Sequence, residues 1–227
     1  MFNRNYIAFL FIILFVLGAT SCSDKEGEPT DMGYDYFPVE QGRFVVYEVE
    51  SIIWDDNDQT VDTTNYQIKM QIDTAFYDNL DRLSYRWLQF TKADTATRWT
   101  YDHTFGITQL ASRLETIEGN NRFVRLAFPV EVAVSWDVNA FNTQKALNAQ
   151  YIDVGFSRSI NGINFSDCAD ALLEDNTSLI NEYHQEEIYA RGVGMIYRYD
   201  RHVDKKFTGE ITKGYQHTYK ILTYGKE

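Results

Sequence analysis

From Tyr66 the chain reads Tyr-Gln-Ile-Lys-Met-Gln-Ile-Asp, an unbroken alternation of apolar and polar residues. Tyr66, Ile68, Met70 and Ile72 fall on one face of an extended chain, and Gln67, Lys69, Gln71 and Asp73 on the other. Side chains alternate in this way only along a strand, and one apolar face beside one polar face marks a half-buried antiparallel strand. The same texture recurs along the chain. Phe44 to Ile53 is rich in valine and aromatics, and Asp55-Asp56-Asn57-Asp58 turns it back toward the Tyr66 strand. Leu83 to Phe90 and Thr97 to Tyr101 continue the series with Trp87, Trp99 and Tyr101, which are large β-favouring residues. Leu110 to Ile117 and Arg122 to Phe128 flank a turn at Gly119-Asn120-Asn121. Tyr151 to Ile160 meets Asn161-Gly162, a strong short-range hairpin signal. Glu182 to Tyr189, Met195 to Val203 and Tyr215 to Tyr224 complete the set.

Helical periodicity is confined to two short stretches, Ser166 to Glu174 and Asn142 to Asn148. Phe, Tyr and Trp make up 15% of the chain against three prolines, which favours pleated sheet over loops. The expected fold is therefore all-β, with about ten antiparallel strands in a meander. A sheet of that width must curl or close to bury a face and manage its edges, so a half-barrel, a closed barrel and a sandwich all remain open. Phe37-Pro38-Val39-Glu40 recurs as Phe128-Pro129-Val130-Glu131, each copy ahead of an aromatic strand. Proline is tolerated where a strand begins, so both copies mark strand entries.

The N-terminus carries a different signal. Arg4 is the only charged residue before Asp24, and the apolar run Ile7 to Leu17 follows it. That run makes about 16 Å of helix, too short for a hydrocarbon core roughly 30 Å thick. A positive start, a short apolar middle and small residues at the exit are the layout of a removable export signal. The exit, Leu17-Gly18-Ala19-Thr20-Ser21-Cys22, resembles the lipobox of bacterial lipoproteins. That resemblance implies cleavage before Cys22, a diacylglycerol on its sulfur and acylation of its new amino group. Ser23-Asp24-Lys25-Glu26 resembles the acidic export signal that sends some Gram-negative lipoproteins to the cell exterior. The two Phe-Pro-Val-Glu copies with Gly42, together with Gly192-Val193-Gly194, resemble uncharacterised exported lipoproteins, a likeness that names no activity. The expected organisation is a signal at residues 1–21, a lipidated tether at 22–35 and one β domain at 36–227. Outer membrane is the expected location, with surface display as a further expectation.

Charge narrows the partners. Without residues 1–21 the chain keeps 33 Asp and Glu against 20 Lys and Arg, a formal charge of −13. No basic stripe interrupts this acidity, so nucleic acid is excluded as an expected partner. With Cys22 lipidated, Cys168 has no disulfide partner and reads as a small buried side chain rather than a nucleophile.

Chemical motifs are weak. Gly192-Val193-Gly194 lacks the third glycine and the following helix of a dinucleotide site, so it reads as a corner between strands. Asp55, Asn57 and Gln59 have the spacing of a calcium loop, but Thr60 stands where that loop needs glycine. His103, His184, His202 and His217 match no zinc spacing. Glu186 and Glu187 are adjacent, which on a strand sends them to opposite faces rather than to one glycosidic bond. No catalytic residue, metal ligand or cofactor site is expected. The expected role is a non-catalytic, lipid-anchored envelope module that binds an envelope protein or a glycan. A carrier of an apolar ligand such as a lipid, and a hydrolase with a dispersed site, are the alternatives.

Overall fold

A computed structural model of the chain describes residues 29–93, 96 and 98–227. Residues 1–28, and with them Cys22, lie outside the described residues. The compact unit runs from Asp31 to Glu227.

Twelve antiparallel strands follow one another: β1 (Arg43–Asp55), β2 (Thr60–Tyr77), β3 (Leu83–Ala93), β4 (Thr100–Gln109), β5 (Arg113–Glu118), β6 (Asn121–Ala127), β7 (Ser135–Asp137), β8 (Asn148–Ile160), β9 (Ile163–Thr177), β10 (Asn181–Ala190), β11 (Gly194–Lys205) and β12 (Ile211–Lys226). They form one sheet in the order β6-β5-β4-β3-β2-β1-β12-β11-β10-β9-β8-β7. Chain order and spatial order are therefore the same ring, with β12 paired to β1 along nearly its whole length. The two edges, β6 and β7, meet at a seam. The Val124 amide donates to the Val138 carbonyl (2.9 Å), and the Trp136 indole N–H donates to the Val124 carbonyl (3.0 Å). The result is a nearly closed, up-and-down barrel.

The alternation around Tyr66 sets this register. Ile68, Met70 and Ile72 are buried, and Tyr66 packs against the core from the same face. Lys69 on the outer face bonds Glu227 (2.9 Å) and lies over the Phe44 ring (4.8 Å). Asn161 and Gly162 carry φ values of 50° and 79°, the paired left-handed conformation of a two-residue hairpin between β8 and β9. That hairpin, paired within itself, extends past the last β9–β10 pair at Cys168 and folds back. The Arg158 guanidinium sits over Tyr197 of β11 (5.6 Å), Phe165 packs near Tyr224 of β12 (6.3 Å), and Asn161 donates to the Ile221 carbonyl (3.0 Å).

Each Phe-Pro-Val-Glu copy stands just before β1 or β7, at the entry to one six-stranded half. Both copies help to close the same end of the barrel. Phe37 is buried edge-on against Trp87 (5.6 Å), and Phe128 is buried under the edge of Tyr34 (4.7 Å). The Val130 amide donates to the Met32 carbonyl (3.1 Å). Arg191, in the turn from β10 to β11, binds Asp31 (2.7 Å), Asp35 (2.5 Å) and Asp167 (2.7 Å), with its guanidinium 4.5 Å above the Tyr36 ring. Gly42 has φ 87°, and a Cβ there would come within 2.3 Å of the Glu227 carbonyl oxygen, so only glycine fits this crossing.

Three expectations change. There are twelve strands rather than about ten, because β7 is three residues long and β9 was read otherwise. Ser166 to Glu174 is not helical but the middle of β9, where pairing with β8 and β10 overrides the helix-forming Ala, Leu and Glu side chains. Asn142 to Asn148 is a loop up to the first residue of β8, held by the Asn142 side chain donating to the Arg122 carbonyl (2.9 Å). Within the expected tether, Asp31 to Asp35 are bonded into the closed end by Arg191 and Val130.

Candidate functional site

The barrel interior is apolar at the closed end and charged at its waist. Along β10, Tyr183, Gln185, Glu187 and Tyr189 share the inward face by simple alternation. The ladder sets Glu187 directly opposite Arg198 of β11, an opposite-charge pair of the kind that stabilises cross-strand neighbours. Arg125 arrives from β6 on the far wall. It donates to the Glu187 carboxylate (3.0 Å), covers the Trp87 ring at 5.4 Å and contacts the Met195 sulfur (3.6 Å). Arg198 lies 3.4 Å from Glu187 and donates to Asp200 (2.7 Å), and the Tyr189 hydroxyl also donates to Glu187. Burial alone would raise the Glu187 carboxyl, but Arg125, Arg198 and the Tyr189 hydrogen bond together hold it below the usual carboxylate range.

Two cavities adjoin this layer. One, of about 180 Å³, is bounded by Thr116, Phe123, Leu173 and Gln185, and reaches exposed Gln144 in the loop beside the seam. The other, of about 130 Å³, is bounded by Ile68, Trp87, Gln89, Phe105 and Tyr219. Glu118, Arg125 and Arg198 border both. Together the cavities reach the lower end of the range for small-molecule pockets, about 300 Å³. A hollow of about 550 Å³ between the β1–β2 and β11–β12 tips is larger, but every polar side chain around it is exposed or half-exposed.

Among the described residues, five shielded side-chain polar atoms lack a hydrogen-bond partner: Arg125 Nε, Arg198 Nε, Asp200 Oδ1, His217 Nδ1 and Asp170 Oδ1. Two belong to the arginines that border both cavities, and a third to the aspartate that Arg198 binds. Such groups are nearly always paired in folded proteins, so their concentration at the waist marks it as a place that calls for a hydrogen-bonding occupant. Beyond the waist runs a column of near-parallel rings, Tyr183, His202, Tyr215 and His217, with centroids 4.8–5.3 Å apart. His202 lies 3.2 Å from Glu174 at its side. Burial lowers the His217 pKa, which favours the neutral ring. Asp170 stands apart, beside Glu186. Burial, then the Glu186 charge, raises its carboxyl to about 7.

The sequence candidates disperse. Glu186 and Glu187 do point to opposite faces: Glu187 enters the ion layer, while Glu186 meets His184 (3.4 Å). His103 is exposed against Phe105, and only His202 and His217 share the column. Asp55, Asn57 and Gln59 lie at the β1–β2 tip, where the Asp55 carboxylate accepts from the Asn57 amide (2.8 Å) as a local turn. Gly192 and Gly194 form the corner from β10 to β11, with φ of 73° and 111°. Cys168 is fully buried, and burial raises its thiol pKa, which makes it a poor nucleophile. Alternation alone could not single out Arg125, Arg198 and Asp200, because bulges at Leu114/Glu115 and Ile188/Tyr189 shift strand parity.

No protein-family model matches the chain, and no curated protein matches it. Among solved structures the chain is similar to that of a putative lipoprotein from Parabacteroides distasonis ATCC 8503. The two share 12% sequence identity with a TM-score of 0.44, over 84% of this chain and 98% of the other.

Proposed function

We propose that this chain is a non-catalytic, lipid-anchored protein of the bacterial outer membrane whose barrel is a binding module, with the ligand held in the interior. The unpaired Nε–H groups of Arg125 and Arg198, the two arginines that border both cavities, carry this reading. The outer surface offers less. Exposed Tyr101, Phe141 and Phe207 stand on separate segments, exposed Phe76, Tyr77, Leu80 and Leu83 gather at the single β2–β3 tip, and none of the tryptophans is exposed. A docking face for an envelope protein would extend over more than one hairpin tip and carry aromatic anchors such as tryptophan. An apolar cargo fits poorly, because it would bury the charged waist against hydrocarbon.

The anchor suits this role. Asp31 is fixed at the closed end by Arg191, nine residues after Cys22. Nine residues span at most about 32 Å. A lipid on Cys22 would therefore keep the closed end near the membrane.

Native mass spectrometry of the protein, purified in mild detergent from its own membrane, tests this reading. The expected result is a lipidated chain carrying a small non-covalent adduct that departs on unfolding. A chain that releases nothing opposes interior binding. Release of a phospholipid or fatty acid favours the carrier instead.

A further inference from the structure

The atoms at the waist specify what kind of molecule fits there. Arg125 already gives an Nη group to Glu187, and Arg198 gives one to Asp200 and lies 3.4 Å from Glu187. What each has left is a buried Nε–H with no acceptor. Beside Arg198, Asp200 Oδ1 is a buried acceptor without a donor. An occupant must therefore accept hydrogen bonds from both arginines, and the Glu118 carboxylate at the border of both cavities is an acceptor for its donors.

Charge decides between an anion and a neutral molecule. Arg125 and Arg198 are matched by Glu187 and Asp200, and Glu118 adds a further carboxylate at the border of both cavities. A carboxylate or phosphate ligand would meet an already balanced layer and a nearby negative charge in a medium of reduced dielectric. A neutral hydroxyl or amide carbonyl satisfies the same Nε–H groups without that repulsion. The remaining walls mix apolar side chains with neutral polar ones, Gln89 in one cavity and Thr116 and Gln185 in the other. Ile68, Trp87 and Phe105 line one cavity, and Phe123 and Leu173 the other. Hydroxyls that donate and accept, beside C–H faces that pack on apolar walls, are together the chemistry of a sugar ring.

We infer that the barrel takes a neutral, hydroxyl-rich ligand of the sugar class, bonded to the Nε–H groups of Arg125 and Arg198. This rests on the interior-binding function proposed above and names its ligand class.

The test uses the full chain, expressed with ¹⁵N-labelled arginine and purified in mild detergent. Arginine Nε–Hε resonances are followed by two-dimensional NMR while glucose, galactose, mannose or N-acetylglucosamine is added. Arg125→Lys and Arg198→Lys assign the two signals, and thermal melts show that each variant is folded. The expected result is saturable movement of both signals with at least one neutral sugar, and at least tenfold weaker binding in Arg198→Lys. Movement with inorganic phosphate or palmitate, but with none of the sugars, overturns the sugar class in favour of an anion site. Silence of both signals toward every probe also overturns it. The mass measurement still decides separately whether the interior is occupied at all.

Discussion

Replacing Glu187 with Ala is expected to cost about 3–5 kcal/mol of folding stability, because it strands two guanidinium groups inside the barrel. Glu187 is 2% exposed and is the carboxylate that Arg125 and Arg198 share. Its removal leaves Arg125 with a ring face and only the unbonded Glu118 charge nearby, and Arg198 with Asp200 alone. For a domain of this size each kcal/mol moves the melting temperature by about 2–4 °C, so a fall of roughly 10 °C is expected. Urea unfolding of the wild type and the variant reads the loss directly. The double variant Arg125→Met with Glu187→Leu removes charges of both signs and should recover a large part of it. A single-variant loss under about 1 kcal/mol would mean that the waist is not held by ion pairing. The pH dependence has a definite sign. The folded state lowers the Glu187 pKa, so its contribution is complete above the ordinary value near 4.5 and fades as pH falls toward the lowered one.

Ile72→Asp is expected to be at least as damaging, with a loss above about 4 kcal/mol. Ile72 is 4% exposed on the inward face of β2, where the closed end supplies Phe37 and Trp87, and Arg43, the arginine at that cavity, is already bound to Glu40 and the Gly192 carbonyl. Lys69→Asp, three residues earlier on the outer face, should cost about 1 kcal/mol through its bond to Glu227 and its place over Phe44. Equal losses in urea melts would contradict the register of the sheet.

That register was legible in the chain because the Tyr66 to Asp73 alternation is local and unbroken. The hairpin at Asn161-Gly162 was legible for the same reason, as two adjacent residues suffice to set φ above zero. β9 was not, since Ala169, Ala171, Leu172 and Leu173 suit a helix and only their neighbours on β8 and β10 make them a strand. β4 was placed too early, at Thr97 to Tyr101, because His103 and Gly106 interrupt its pattern. The waist and the closed end were out of reach for a stronger reason. Arg125 and Glu187 are 62 residues apart, and Arg191 and Asp31 are 160 apart. Their meeting depends on how the ring closes, and bulges between them change which face a residue takes.

A crystal structure of the protein purified from its own membrane, without exchange into a ligand-free buffer, tests interior binding most directly. The expected result is density for one polar molecule spanning the two cavities, with oxygen atoms within about 3 Å of both Arg125 Nε and Arg198 Nε. Cavities holding scattered water alone, or an apolar chain that leaves both Nε–H groups without an acceptor, would contradict it.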